Sequence, residues 1–233
     1  MIKIQHLNKK FDKLEVLKDL NLEIQQGGIF AILGPNGSGK TTLIKCILGM
    51  VIPNSGTILY QDKNIIGEWN YRKNLLYLPQ IANFPPNLTV QEIINIVKNI
   101  RNTNSNEKYL IEQFGIIPFL NKKLQHLSGG TKQKVNLVLT FMFEADLIIL
   151  DEPTSGLDPI ALIQLKKIIQ EKKDKGNTIF VTSHIMSFVE EIADNIVFLL
   201  DGNIYFKGNI IELKTSTQSN TLEQAIATLL SKN

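Results

Sequence analysis

One segment constrains this chain more than any other: Gly34-Pro35-Asn36-Gly37-Ser38-Gly39-Lys40-Thr41-Thr42 follows the pattern G-x-x-x-x-G-K-[ST]. It lies between an apolar run, Ile29-Phe30-Ala31-Ile32-Leu33, and a helical pattern beginning at Thr42. That context matters because glycines let successive backbone N–H groups turn inward where a strand gives way to a helix N-terminus, which makes an anion nest. Lys40 is placed to reach the β- and γ-phosphates of a nucleotide, and the Thr41 hydroxyl to ligate Mg²⁺. Asn36, Gly37, Ser38, Gly39, Lys40, Thr41 and Thr42 are therefore the expected phosphate contacts. A chance glycine turn is the competing reading, and with this composition the motif arises somewhere in the chain about one time in a hundred.

A second segment supplies the acid such a site needs. Leu147-Ile148-Ile149-Leu150 is a continuous apolar run ending in Asp151-Glu152. A buried strand that stops in Asp sets the carboxylate at the strand's C-terminal edge, beside the phosphate loop, where Asp151 can hold Mg²⁺. Glu152, one residue further, can act as the general base toward a water attacking the γ-phosphate. Alone, an acidic strand end is usually a solvated turn; beside a phosphate loop the catalytic reading dominates.

The rest of the chain is organised as these two segments require. Leu75 to Leu78 and Thr178 to Thr182 are further continuous apolar runs, the pattern of strands buried on both faces. Leu20-Asn21-Leu22-Glu23-Ile24 alternates, and Asn195 to Phe206 carries Asp201-Gly202 between two apolar runs, so both read as peripheral antiparallel strands. Between Ile81 and Gln125 strand signals cease. Pro85-Pro86 breaks the chain, Thr89 and Glu92 make a capping box ahead of Ile93, Ile94, Val97 and Ile100, and a second helix carries Tyr109, Leu110 and Phe114 on one side. Thr221 to Leu230 reads as a short amphipathic helix. The expectation is an α/β fold with a mixed, largely parallel sheet, peripheral antiparallel strands and an inserted helical subdomain.

Composition narrows the functions. With 233 residues, 43% hydrophobic and 20% charged, the chain is sized for one domain with a full core. Lys+Arg 25 against Asp+Glu 22 gives a net charge of +3, too weak a field to make nucleic acid or an anionic membrane the default partner. Arg72 and Arg101 are the only arginines, which handicaps mechanisms built on several bidentate arginine clamps. A lone cysteine, Cys46, offers no internal disulfide and points to a cytosolic setting. No run approaches the ~20 apolar residues of a membrane span, so direct membrane insertion is not expected.

Leu127-Ser128-Gly129-Gly130-Thr131-Lys132-Gln133, upstream of the acidic strand, resembles the signature motif of ATP-binding cassette ATPases. The order found in that family is phosphate loop, glutamine loop, signature, acidic strand, D-loop and switch histidine. It is matched here by Gly34 to Thr42, Gln80, Ser128 to Gly130, Asp151-Glu152, Ser155-Gly156-Leu157-Asp158 and His184. The resemblance spans nearly the whole length and implies a phosphate-loop NTPase core over residues 1–80 and 135–215. It assigns 81–134 to a helical subdomain with the signature, and 216–233 to a C-terminal helix.

The resemblance implies further roles. ATP and Mg²⁺ become the expected cofactors, with Gln80 joining Thr41 and Asp151 as a metal contact and acting with Glu152 and His184 in hydrolysis. Ser128, Gly129 and Gly130 form a second anion site, at a helix N-terminus that lacks a lysine, for ATP held by another copy in a homodimer or by a related chain in a pseudo-dimer, with Asp158 at the seam of that dimer. Phe11 resembles the aromatic that stacks on adenine, with Val16 packing nearby. Thr131 and Lys134 stand where many members have Gln and Arg, which suggests a bacterial subgroup. The function so implied is a cytoplasmic, peripheral ATPase subunit that powers a separate transmembrane permease of the export type, of the multidrug, antibiotic, sodium or copper-maturation kinds, the last including copper delivery for nitrous oxide reductase maturation. The alternative is a non-transport cassette ATPase of DNA repair or translation, disfavoured by the single phosphate loop and the lack of a coiled-coil insertion.

Overall fold

The computed structural model describes residues 1–231. The last two residues of the expected C-terminal helix, 232–233, lie outside the described residues.

Two sheets carry the strands. β1 (Ile2–Phe11), β2 (Leu14–Ile24), β4 (Ser55–Tyr60) and β5 (Lys63–Asn64) form an antiparallel sheet in the order β2-β1-β4-β5. The second sheet has six strands. β3 (Gly28–Leu33), β6 (Leu75–Leu78), β7 (Leu147–Asp151), β8 (Thr178–Thr182) and β9 (Asn195–Leu200) run parallel, and β10 (Asn203–Gly208) closes one edge in antiparallel sense. Its order is β10-β9-β3-β8-β7-β6.

The parallel strands are apolar on both faces because both are covered. Ile29, Ala31, Leu33, Ile148, Leu150, Ile179 and Val181 enter one core cluster, while the alternating residues Phe30, Ile32, Leu147, Ile149 and Phe180 enter another. This period of two is the pleat at work. The first cluster lies under the helices α2 (Val90–Arg101), α3 (Glu107–Gln113), α4 (Gly129–Phe141) and α5 (Pro159–Asp174). The second is closed by α1 (Lys40–Ile47) and the antiparallel sheet, with Phe30 and Phe180 edge-on at 6.1 Å. α6 (Met186–Ile192), α7 (Ile210–Thr217) and α8 (Leu222–Ser231) complete the chain.

Between β6 and β7 the chain is helical, as expected. Thr89 accepts from the Glu92 N–H at 3.2 Å, and the Glu92 carboxylate accepts from the Thr89 N–H at 2.7 Å, so the capping box forms and starts α2. Two expectations here need correction. Ile93 and Ile94 are buried and Val97 packs, partly buried, against the same core, but Ile100 in the last turn of α2 is exposed. On α3, Leu110 and Phe114 are buried while Tyr109 turns outward and donates to Glu171 at 3.2 Å.

The hairpin at Asp201-Gly202 is present, both residues having positive φ. Its first strand is not peripheral, however. β9 pairs in parallel with β3, and Ile196 to Leu199 are fully buried. The unbroken apolar run Ile196-Val197-Phe198-Leu199 carries that signal, whereas β10 alternates and takes the edge.

Candidate nucleotide site

The C-terminal ends of β3, β7 and β8 sit side by side, so everything just beyond them faces one crevice. Beyond β3 the loop from Gly34 wraps into α1, whose first ladder bond runs from the Leu43 N–H to the Gly39 carbonyl at 2.8 Å. The N–H groups of Lys40, Thr41 and Thr42 therefore precede the helical ladder and supply the positive end of the helix. Gly39 must be glycine: its φ is 104°, and a Cβ there would stand 2.8 Å from both Leu17 Cδ2 and the Val16 carbonyl. The phosphate loop is packed directly against β2.

A cavity of about 250 Å³ opens at this point, lined by Leu14, Val16, Asn36 to Thr42, Gln80, Asp151, Glu152, Thr182 and His184. Lys40 Nζ donates to the Gly34 and Pro35 carbonyls at 2.7 and 2.9 Å, so the ammonium is folded over the loop's own oxygens. Burial lowers its pKa, against the raising pull of Glu152 and Asp151. Ser38 Oγ is buried with no hydrogen-bond partner among the described residues. An orphaned hydroxyl inside a nest of N–H groups, beside a partly desolvated ammonium, fits an oxyanion-rich ligand such as a triphosphate.

The acidic wall is equally specific. Asp151 pairs in register with Thr182 of the adjacent strand, and the Thr182 hydroxyl donates to Asp151 Oδ1 at 2.6 Å. The same hydroxyl accepts the Glu152 N–H at 3.0 Å. Glu152 adopts φ 51°, a left-handed backbone that a side chain rarely takes, and this turn swings its carboxylate into the cavity. There Glu152 Oε1 meets His184 Nε2 at 3.1 Å, and Oε2 accepts the His184 N–H at 3.3 Å. Burial raises the Glu152 pKa, with Asp151 adding to the rise and His184 and Lys40 opposing it.

Val16, Asn36 to Thr42, Gln80, Asp151, Glu152 and His184 are thus brought together, as the sequence predicts. Leu14 and Thr182 were missed: Leu14 is an exposed strand residue, and Thr182 is recognisable only once β8 is placed in register with β7. Phe11 lies at the end of β1 outside this lining, 46% exposed, with Lys9 Nζ 4.8 Å over its ring. Ser128, Gly129, Gly130 and Asp158 also stand away from the cavity. Ser128 caps α4, accepting the Thr131 N–H at 3.3 Å, and Asp158 caps α5, accepting the Ala161 N–H at 2.8 Å. Asp158 also pairs with Lys134 at 2.5 Å, and that contact, before the cap, holds its carboxyl below the usual range.

A parallel sheet with a phosphate loop after one strand and a carboxylate pair after its neighbour but one defines a phosphate-loop nucleotide hydrolase. Comparison with known proteins narrows this: residues 17–155 match the family described as ABC transporter. The chain is 35% identical to the lantibiotic transport ATP-binding protein SrtF of Streptococcus pyogenes, over 88% of this chain and 89% of that one. It is 32% identical to the arginine transport ATP-binding protein ArtM of Bacillus subtilis, over 99% of this chain and 100% of that one. A solved ATP-binding subunit of an ABC transporter superposes with a TM-score of 0.90 at 28% identity, covering 99% of each chain. The chain belongs to the ABC transporter family, as an ATP-binding and ATP-hydrolysing subunit.

Proposed function

We propose that the crevice binds MgATP and that Glu152 drives its hydrolysis. In this reading Lys40 leaves the Gly34 and Pro35 carbonyls to meet the β- and γ-phosphates, and the N–H groups at the start of α1 hold the same oxygens. Ser38 gains the partner it lacks. Thr41, Asp151 and Gln80 would hold Mg²⁺, which when bound neutralises phosphate charge. The Thr182 bond fixes one oxygen of Asp151 for that purpose. Glu152 takes the proton of the attacking water, and His184, paired with the Glu152 carboxylate at 3.1 Å, orients it. Val16 and Leu14 offer apolar surface for the base, with Phe11 stacking from the end of β1.

The observation that carries the reading is the convergence of the phosphate loop with Asp151, Glu152 and His184 around one cavity. Ser128, Gly129, Gly130 and Asp158 stand outside it, which supports their use by a second copy, the helix terminus of one chain gripping the nucleotide of the other. We take 1–80 with 135–215 as the nucleotide-binding core, 81–134 as the helical subdomain and 216–233 as the C-terminal segment.

A separate membrane permease is the proposed partner, with this chain on its cytoplasmic side. No helix among the described residues is long and apolar enough to cross a membrane. Met50, Ile52, Trp69 and Ile100 are exposed apolar side chains, close in sequence to two contacts in which Arg72 donates to the Gly49 carbonyl and Arg101 to the Lys73 carbonyl. Relatives named for chemically unlike cargoes, a lantibiotic and arginine, match at similar identity. Cargo choice therefore falls to the permease, and the export-type assignment rests on the resemblance.

Cross-linking tests the dimer. Asn36 and Gly129 are exposed, so Asn36→Cys and Gly129→Cys chains, each also carrying Glu152→Gln, are mixed with saturating MgATP. Cys46 is buried and burial pushes its thiol up to about 11, so it does not compete. A disulfide closes only where Cα atoms come within about 7 Å. An oxidised dimer from the mixture alone, and only with nucleotide, is expected; a mixture that stays monomeric with ATP bound refutes the sandwich.

A further inference from the structure

Two buried carboxamides project from one face of α4, one turn apart. Gln133 is 7% exposed and Asn136 4%. Both lie on the helix that begins at Ser128, and neither touches the cavity. Each amide nitrogen donates to a prolyl carbonyl: Gln133 Nε2 to Pro153 O at 3.1 Å, and Asn136 Nδ2 to Pro79 O at 3.3 Å. Pro153 follows Glu152 and Pro79 precedes Gln80. These carbonyls lie just beyond the ends of the adjacent parallel strands β7 and β6, so a single helical turn holds the two bends from which both residues enter the site.

Their placement needs holding. Proline has no N–H with which to join a ladder, so each bend has one backbone donor fewer than an ordinary strand end. The Glu152 backbone is left-handed at φ 51°, a conformation that persists only where surrounding contacts over-determine it. Its own N–H goes to Thr182, and the Ser155 N–H returns to the Glu152 carbonyl at 3.3 Å. The Gln133 amide then secures the next carbonyl along. One turn toward the start of the helix, Gly130 lies against the same loop so closely that a Cβ would stand 2.4 Å from the Gly156 carbonyl. Lys134 pairs with Asp158 at 2.5 Å. α4 thus grips the segment from Pro153 to Asp158 at three points and the end of β6 at a fourth.

We propose that Gln133 and Asn136 are positioning residues for hydrolysis, setting Glu152 and Gln80 at a fixed separation through the carbonyls of Pro153 and Pro79. The proposal rests on the roles given above to Glu152 and Gln80. It also means that the helix whose N-terminus is offered to a second copy's nucleotide is the element that aligns this chain's own base. Neither residue is itself catalytic, since each acts through a neighbouring carbonyl.

Gln133→Met and Asn136→Leu remove the donors at nearly unchanged side-chain volume. Each is measured for MgATP affinity by calorimetry, for kcat and KM, and for thermal unfolding. A displacement of about 1 Å at a reacting group costs up to about a hundredfold. The expected result is a ten- to hundredfold fall in kcat with affinity and KM within about twofold, because the phosphate loop is untouched. Asn136→Leu should also raise the Mg²⁺ concentration that half-saturates hydrolysis, and Gln133→Met should add nothing on top of Glu152→Gln. If Gln133→Met does not fold, Asn136→Ser, whose hydroxyl is too short to reach Pro79, carries the test.

A kcat within twofold of wild type in the folded variants overturns the proposal, as does an equal loss of kcat and nucleotide affinity. Glu152→Gln separates the two levels. If that substitution leaves hydrolysis intact, the assignment of the base fails; if it abolishes hydrolysis while Gln133→Met does not slow it, only the positioning role fails.

Discussion

Gly130→Ala sets helix propensity against packing, and the structure decides which wins. Gly130 sits in the first turn of α4 with an ordinary helical backbone, so replacing it with alanine gains up to about 1 kcal/mol of helix propensity. The new Cβ, however, would stand 2.4 Å from the Gly156 carbonyl oxygen. Backbone cannot rotate away as a long side chain can, so the helix and the 153–158 loop must part by several tenths of an ångström, an overpacking cost of about 1–3 kcal/mol. The net is a loss of up to about 2 kcal/mol. For a chain of this size each kcal/mol moves Tm by about 2–4 °C, so the midpoint should fall by up to about 8 °C. Gly129→Ala is the control, because a Cβ there meets nothing within 4 Å; its midpoint should hold or rise slightly. Scanning calorimetry of both variants reads the difference, and kcat should fall for Gly130→Ala as the loop after Glu152 is pushed outward. A Gly130→Ala midpoint at or above that of Gly129→Ala would refute the argument.

Lys40→Ala should abolish measurable MgATP binding by calorimetry while leaving the unfolding midpoint near wild type, since among the described residues the ammonium's hydrogen bonds go only to its own loop's carbonyls. Glu152→Gln should keep ATP binding and cut hydrolysis by roughly 10² to 10⁴-fold in a phosphate-release assay. The wild-type pH–rate profile should show hydrolysis rising with pH through a midpoint above the usual carboxylate range, because burial raises the Glu152 pKa and only the ionised form accepts a proton. The same raised value means the folded state holds this proton more tightly than the unfolded chain. Its contribution to stability is therefore full at low pH and fades as pH rises through the folded pKa, so Glu152→Gln should gain in relative Tm above that range. Thr182→Val keeps the side chain's shape but strips Asp151 Oδ1 of its donor and the Glu152 N–H of an acceptor; about 1–3 kcal/mol of stability should be lost in denaturant titration, together with Mg²⁺-dependent activity.

Much of this molecule is legible in one dimension. The phosphate loop is a run of adjacent residues whose chemistry is local: glycines that free the backbone, a lysine of fixed reach and a hydroxyl beside it. The apolar run ending in Asp151-Glu152 announces both a doubly covered strand and the residues it delivers, and the Thr89–Glu92 box starts its helix with no help from elsewhere. Other features depend on neighbours distant in the chain. The hairpin signal puts β9 at the edge because it says which strand follows, not which lies on the other side; only the pairing of Ile196 to Phe198 against β3 puts it in the core. Thr182 becomes a site residue through its register with Asp151, and Gln133 and Asn136 through bonds to carbonyls 20 and 57 residues away. Ser128 to Gly130 are unmistakable as a motif, yet they stand outside the cavity of their own chain. Local chemistry is written into adjacent residues, whereas register, buried polar partners and the distance of Ser128 to Gly130 from the cavity are properties of chain segments meeting in space, and only the tertiary structure decides them.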